Sequence, residues 1–123
     1  MSSASPKVVF ITGASSGLGL ETVKALMQSS QPYHIFLGCL ILEEGERAIV
    51  ALKNTVPETE STIKAIQIDL RSDESIASCF EQIKADPGYI DVLVNNAGLS
   101  SFPNLLQHTT SDFRVSIQFS QDC

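Results

Sequence analysis

The chain has 123 residues, 43% of them hydrophobic and 18% charged, which suits one layered domain around one core and is too short for two. Eight basic against fourteen acidic residues give a net charge of −6, a balance that argues against sequence-independent binding to nucleic acid or anionic lipid, since both need clustered Lys and Arg. The longest apolar run, Ile35 to Leu42, has about eight residues where a membrane-spanning helix needs roughly 20, and Met1 to Val9 has no apolar region of signal-peptide length, so a cytosolic setting is expected.

In chain order, apolar runs suited to buried strands alternate with amphipathic segments, the pattern of consecutive βαβ units on a parallel sheet. The first strand is read at Lys7 to Thr12, β-branched and apolar as a strand covered on both faces would be. A glycine-bearing turn follows. A helix from about Gly17 to Ser29 then sets Leu20, Val23 and Met27 on one face, and Gln31-Pro32 ends it. The second strand is expected near His34 to Gly38, followed by a helix from about Leu42 to Asn54 that buries Ala48, Ile49 and Leu52. Strand three is expected at Lys64 to Asp69. Ser72 then caps a third helix with Asp73 and Glu74 in its first turn and Ile76, Phe80 and Ile83 as its inner stripe. Asp86-Pro87-Gly88 stops that helix, and a fourth strand runs from Ile90 to Asn95. Regular alternation is lost after Ala97-Gly98, and the segment from Ser111 to Cys123 reads as an irregular tail with a two-residue apolar alternation.

The residues richest in chemistry are Thr12-Gly13-Ala14-Ser15-Ser16-Gly17-Leu18-Gly19, between the first strand and the first helix. A pyrophosphate needs backbone N–H groups and a helix N-terminus aimed at it, and bulky side chains would keep the backbone away. Gly13 and Gly17 supply that clearance, Gly19 lets the helix pack close to the strand, and the hydroxyls of Ser15 and Ser16 are placed to donate to phosphate oxygens. The plain structural alternative is a tight strand-to-helix connection with no ligand. The phosphate loop of nucleoside triphosphatases is excluded, because it needs Lys and Ser or Thr after its last glycine and Gly19 is followed by Leu20-Glu21.

With TGASSGLG at Thr12 to Gly19 and Asn95-Asn96-Ala97-Gly98 after the fourth strand, the chain resembles the N-terminal half of the short-chain dehydrogenase/reductases over roughly Lys7 to Phe113. The resemblance implies a Rossmann-like, doubly wound parallel α/β sheet, here of about four strands in a single partial domain, and NAD(P) as cofactor. It implies that Gly13, Ser15, Ser16, Gly17 and Leu18 line the pyrophosphate, that Asp69 and Leu70 lie against the adenine, and that Asn95, Ala97 and Gly98 border the adenosine ribose and steady the sheet. The residues read by themselves leave Asp69 open to a turn or capping role and the asparagines open to tying adjacent strands.

Cofactor preference stays open between NAD and NADP. An Asp or Glu about 20 residues beyond the glycine turn binds the ribose 2′-hydroxyl and an Arg accommodates a 2′-phosphate, whereas this chain has Gly38-Cys39-Leu40 there, and Arg47 reads as a solvated helix residue. The resemblance also implies catalysis by a Ser and a YxxxK pair, in which a nearby ammonium lowers the tyrosine pKa for proton transfer. The only tyrosines, Tyr33 and Tyr89, are followed four residues later by Leu37 and Leu93, so no catalytic residue is assigned and a truncated or mis-spliced reading frame is the expectation.

That expectation leaves strand four an open edge, where Val92 to Val94 would favour self-association. Cys39, Cys79 and Cys123 show no metal or redox spacing, and His34 and His108 have no partner at ligand spacing. The leading reading is the cofactor-binding portion of an oxidoreductase. A second is a catalytically inactive nucleotide-binding or interaction module, and a third, an S-adenosylmethionine-type fold, is opposed by Leu40 and by the NNAG segment.

Overall fold

The computed structural model describes residues 6–96 and, as backbone, the strand at 116–119. Its elements in chain order are β1 (Lys7–Ile11), α1 (Gly17–Met27), β2 (Tyr33–Cys39), α2 (Leu42–Thr55), β3 (Thr62–Gln67), α3 (Asp73–Ala85), β4 (Val92–Asn95) and β5 (Ser116–Phe119). The five strands form one sheet in the order β3-β2-β1-β4-β5, and every pairing is parallel.

The side chains of β1 alternate, and that alternation builds two cores. Val9 and Ile11 meet Val23 and Met27 of α1 and Leu52 of α2 on one face. Val8 and Phe10 meet Ile76, Cys79, Phe80 and Ile83 of α3 on the other. Helices α1 and α2 therefore share a face and α3 covers the opposite one, as a chain must when it winds outward from β1 to β3 and then crosses back to β4. Phe10 and Phe80 pack edge to face with ring centroids 5.6 Å apart, and each buried aromatic or aliphatic side chain of this kind contributes about 1.5–3 kcal/mol.

Local capping follows the sequence at α3, where the Ser75 N–H donates to Ser72 Oγ at 3.2 Å. Two expectations are corrected. Ala48 and Ile49 of α2 are only half-buried while Gly45 and Leu52 are buried, because α2 lies over β2 and β3, the last two strands on that side of the sheet. The fourth strand is not an open edge: β5, which falls in the alternating segment, pairs with it from Val92↔Ser116 to Asn95↔Phe119. That side of Val92 to Val94 is thereby paired within the chain, and β5 adds a fifth strand to the about four read from the sequence.

Candidate functional site

The order of the strands reverses between β1 and β4, and the C-terminal ends of these two strands open the crevice where doubly wound sheets receive ligands. The glycine turn leaves β1 at this point. Gly13 and Gly17 take φ of 62° and 61°, the left-handed region in which a Cβ costs roughly 1–2 kcal/mol. Open space lies where a side chain of Gly17 would stand, with no atom within 4 Å of an added Cβ. Ser16 occupies the N-cap of α1 in extended conformation and its side chain makes no capping hydrogen bond, so that side chain leaves the leading N–H groups of α1 without a cap. Ser15 is half-buried, Ser16 exposed and Leu18 half-exposed at 50%. This is a cradle that a β-carbon would fill, and it suits a pyrophosphate.

Gly19 does more than bring α1 near β1. An added Cβ would stand 2.5 Å from the Gly13 carbonyl oxygen, 2.6 Å from Asn96 Nδ2 and 2.9 Å from Ala14 Cα. The turn folds back on its own helix, and Asn96 locks it there by donating from Nδ2 to the Gly13 oxygen at 3.2 Å. Fully buried Thr12 completes the tie: its hydroxyl donates to Asn95 Oδ1 at 3.1 Å and accepts from the Asn96 N–H at 3.0 Å, while its own N–H donates to the Val94 oxygen at 3.0 Å. The strand-tying role open to the asparagines is thus performed by Asn95 and Asn96 together. Ala97 and Gly98 lie outside the described residues.

Toward β2, the Ala14 N–H donates to the Gly38 oxygen at 2.8 Å, fastening the turn to that strand. Gly38 leaves no room for a side chain, since a Cβ would meet the Ile11 oxygen and Phe10 Cε1, both at 2.8 Å. Asp69 follows β3 and is taken up by Arg71: its Oδ1 accepts from the Arg71 N–H at 3.0 Å and from Nε at 3.1 Å. The Arg71 side-chain hydrogen bond, with the backbone bond behind it, holds the Asp69 carboxyl below its ordinary value. The turn role left open for Asp69 is therefore real. Leu70 is half-buried and packs against the core on the α3 face.

Thr12 and Asn96 were read from the sequence only as members of their motifs and Gly38 only as part of the segment at the end of β2, and none of the three was assigned to the site. The signals were present: a hydroxyl ending an apolar strand, the second asparagine of the NNAG segment, and a glycine at a strand end. What was missing was their proximity, for Thr12 and Asn96 are 84 positions apart.

Both tyrosines lie at the opposite end of the sheet. Tyr33 starts β2 opposite Lys7, and Tyr89 stands before β4 in a hollow with Pro6, Val8 and His34. His34 hydrogen-bonds Thr62, and His108 is outside the described residues. Among the described residues no group of His, Cys, Asp and Glu is arranged to hold a metal. Cys39 and Cys79 are buried free thiols. Burial pushes Cys79 up to about 12 and raises Cys39, against a lowering backbone hydrogen bond from Gly45.

A glycine turn at a helix N-terminus, laced to the neighbouring strand at the reversal of strand order, defines an α/β protein of Rossmann type. The chain belongs to the short chain dehydrogenase family, which it matches over residues 7–122. It is 55% identical over 94 residues to the short-chain dehydrogenase/reductase tropE of Talaromyces stipitatus, covering 76% of this chain and 35% of that protein. Among solved structures it is similar to menthone neomenthol reductase from Mentha piperita, with a TM-score of 0.70 and 30% identity over 78% of this chain and 33% of the other. It is likewise similar to L-sorbose reductase from Gluconobacter frateurii, complexed with NADPH and L-sorbose, with a TM-score of 0.65 and 30% identity over 79% of this chain and 35% of the other. The chain spans about a third of the length of these relatives. No helix among the described residues is long and apolar enough to cross a membrane.

Proposed function

We propose that this chain is the NAD(P)-binding portion of an oxidoreductase that moves hydride between a nicotinamide cofactor and a carbonyl or alcohol carbon. The observation that carries the reading is the laced turn: Asn96 and Thr12 hold Gly13 in place while the space over Gly17 stays open. Membership of a dehydrogenase family and the NADPH in the L-sorbose reductase structure support it. In this proposal the backbone from Gly13 to Gly19, with Ser15, Ser16 and Leu18, holds the pyrophosphate at the N-terminus of α1. Asp69 and Leu70 lie on the adenine side, and Asn95, Ala97 and Gly98 border the adenosine ribose.

The bound cofactor supplies the nicotinamide carbon that gives or accepts hydride. Proton transfer to or from the substrate oxygen is proposed for residues other than the two tyrosines here, because Tyr33 and Tyr89 sit at the far end of the strands. A chain confirmed as folded by circular dichroism is titrated with NADH and NADPH, following nicotinamide fluorescence. Saturable binding is expected for at least one of the two. A folded chain that binds neither overturns the proposal.

A further inference from the structure

The loops at the C-terminal edge of the sheet are where a dinucleotide would lie, and their charge is uneven. Strand β2 ends at buried Cys39 and then turns through Leu40, Ile41 and Leu42, which are 50%, 48% and 43% exposed. The Leu40 carbonyl is held by Gln67 Nε2 at 3.2 Å, so this apolar tip is tied to the end of β3. It stands about 20 residues beyond the glycine turn, where a dinucleotide fold meets the 2′ position of the adenosine ribose.

Around that tip the charge is negative. Helix α2 starts at once, its first turn carrying Glu43 and Glu44, and the Glu44 N–H is already spent on the Ile41 oxygen at 3.0 Å. The two carboxylates offset the positive end of the α2 dipole, which would otherwise attract an anion. Lys24, Lys53 and Lys84 lie in the last turns of their helices, which run back to the N-terminal edge of the sheet, and Lys7 begins β1 there. Arg71, in the loop after β3, is the one Lys or Arg among the described loop residues of the C-terminal edge, and its guanidinium is bonded to Asp69 through Nε at 3.1 Å and Nη2 at 3.4 Å.

We infer that this site takes the unphosphorylated dinucleotide NAD(H) in preference to NADP(H), an inference that rests on the cofactor reading above. A 2′-phosphate would lose water against Leu40 and Ile41, meet the negative charge of Glu43 and Glu44, and find the Arg71 guanidinium bonded to Asp69. A ribose 2′-hydroxyl meets none of these penalties and is left partly hydrated at an open surface. Preference here comes from rejection of the phosphate rather than from a dedicated hydroxyl acceptor, so its magnitude depends on ionic strength.

The test is a pair of fluorescence titrations with NADH and NADPH, at low salt and at about 0.5 M salt. NADH is expected to bind about ten-fold tighter at low salt, as like charges and an unpaired phosphate dictate, with the gap narrowing at high salt. Leu40→Arg places a cation at the exposed tip and is expected to raise the affinity for NADPH relative to NADH about ten-fold. NADPH binding as tightly as NADH to the unsubstituted chain overturns the inference. So does an Arg71→Gln variant that loses NADPH binding alone, since Arg71 would then be receiving the phosphate. A folded chain that binds neither dinucleotide removes the cofactor reading and this inference with it, whereas binding of NADPH alone removes only this inference.

Discussion

Replacing Gly19 by alanine adds one β-carbon at the most crowded point of the candidate site. It would stand 2.5 Å from the Gly13 oxygen and 2.9 Å from Ala14 Cα, both backbone, so neither can swing aside as a side-chain tip would. Asn96 Nδ2, at 2.6 Å, would be displaced from its bond to Gly13. Overpacking of this kind costs about 1–3 kcal/mol and the lost hydrogen bond about 1 kcal/mol, a sum of roughly 2–4 kcal/mol against the 5–15 kcal/mol typical of a domain. Gly17→Ala is the matched comparison, since it meets no atom within 4 Å and pays only for its φ of 61°, roughly 1–2 kcal/mol. Urea unfolding followed by far-ultraviolet circular dichroism should rank the midpoints wild type, Gly17→Ala, Gly19→Ala, with NADH affinity lowest in the last. A Gly19→Ala chain that unfolds at the wild-type midpoint and binds NADH as tightly would refute the lacing argument.

Thr12→Val removes the hydroxyl that accepts from the Asn96 N–H and donates to Asn95; it should lower stability by about 1–3 kcal/mol and weaken NADH binding, checked by the same two assays, and unchanged values would show the tie to be idle. Stability should also fall above pH about 9, because Cys79 keeps its proton up to about 12 in the folded chain while the unfolded thiol ionises near 8.5. The sign follows from the folded state binding more protons in that window, with a slope of at most about 1.4 kcal/mol per pH unit. Cys79→Ala should flatten urea midpoints plotted from pH 8 to 10, and an equally steep plot in that variant would assign the fall to another group. Native Cys39 and Cys79, both buried, should react with a thiol reagent only after urea is added, and rapid labelling of either in the folded chain, located by mass spectrometry, would contradict their burial.

Element types and the phosphate turn were legible in the sequence, and the reasons are local. Three apolar strand-length runs each followed by a helical stripe, Ser72 ahead of two acids, and glycines spaced through Thr12 to Gly19 all act within a few residues of one another. The resemblance located the NNAG segment as well. Strand ends were less legible: β2 begins at Tyr33 rather than His34 and β3 ends at Gln67 rather than Asp69, because ladder partners on neighbouring strands set those limits.

Tertiary structure alone decided which strands are neighbours. No local signal shows that the chain crosses from β3 to place β4 beside β1, putting α3 on the face opposite α1 and α2, or that β5 pairs with the side of β4 expected to be open. It likewise brought Thr12 to Asn95 and Asn96, so that two motifs read as separate became one hydrogen-bonded unit. Propensity and patterning act along the chain, whereas strand order and site closure depend on which distant residues the packed sheet brings within reach.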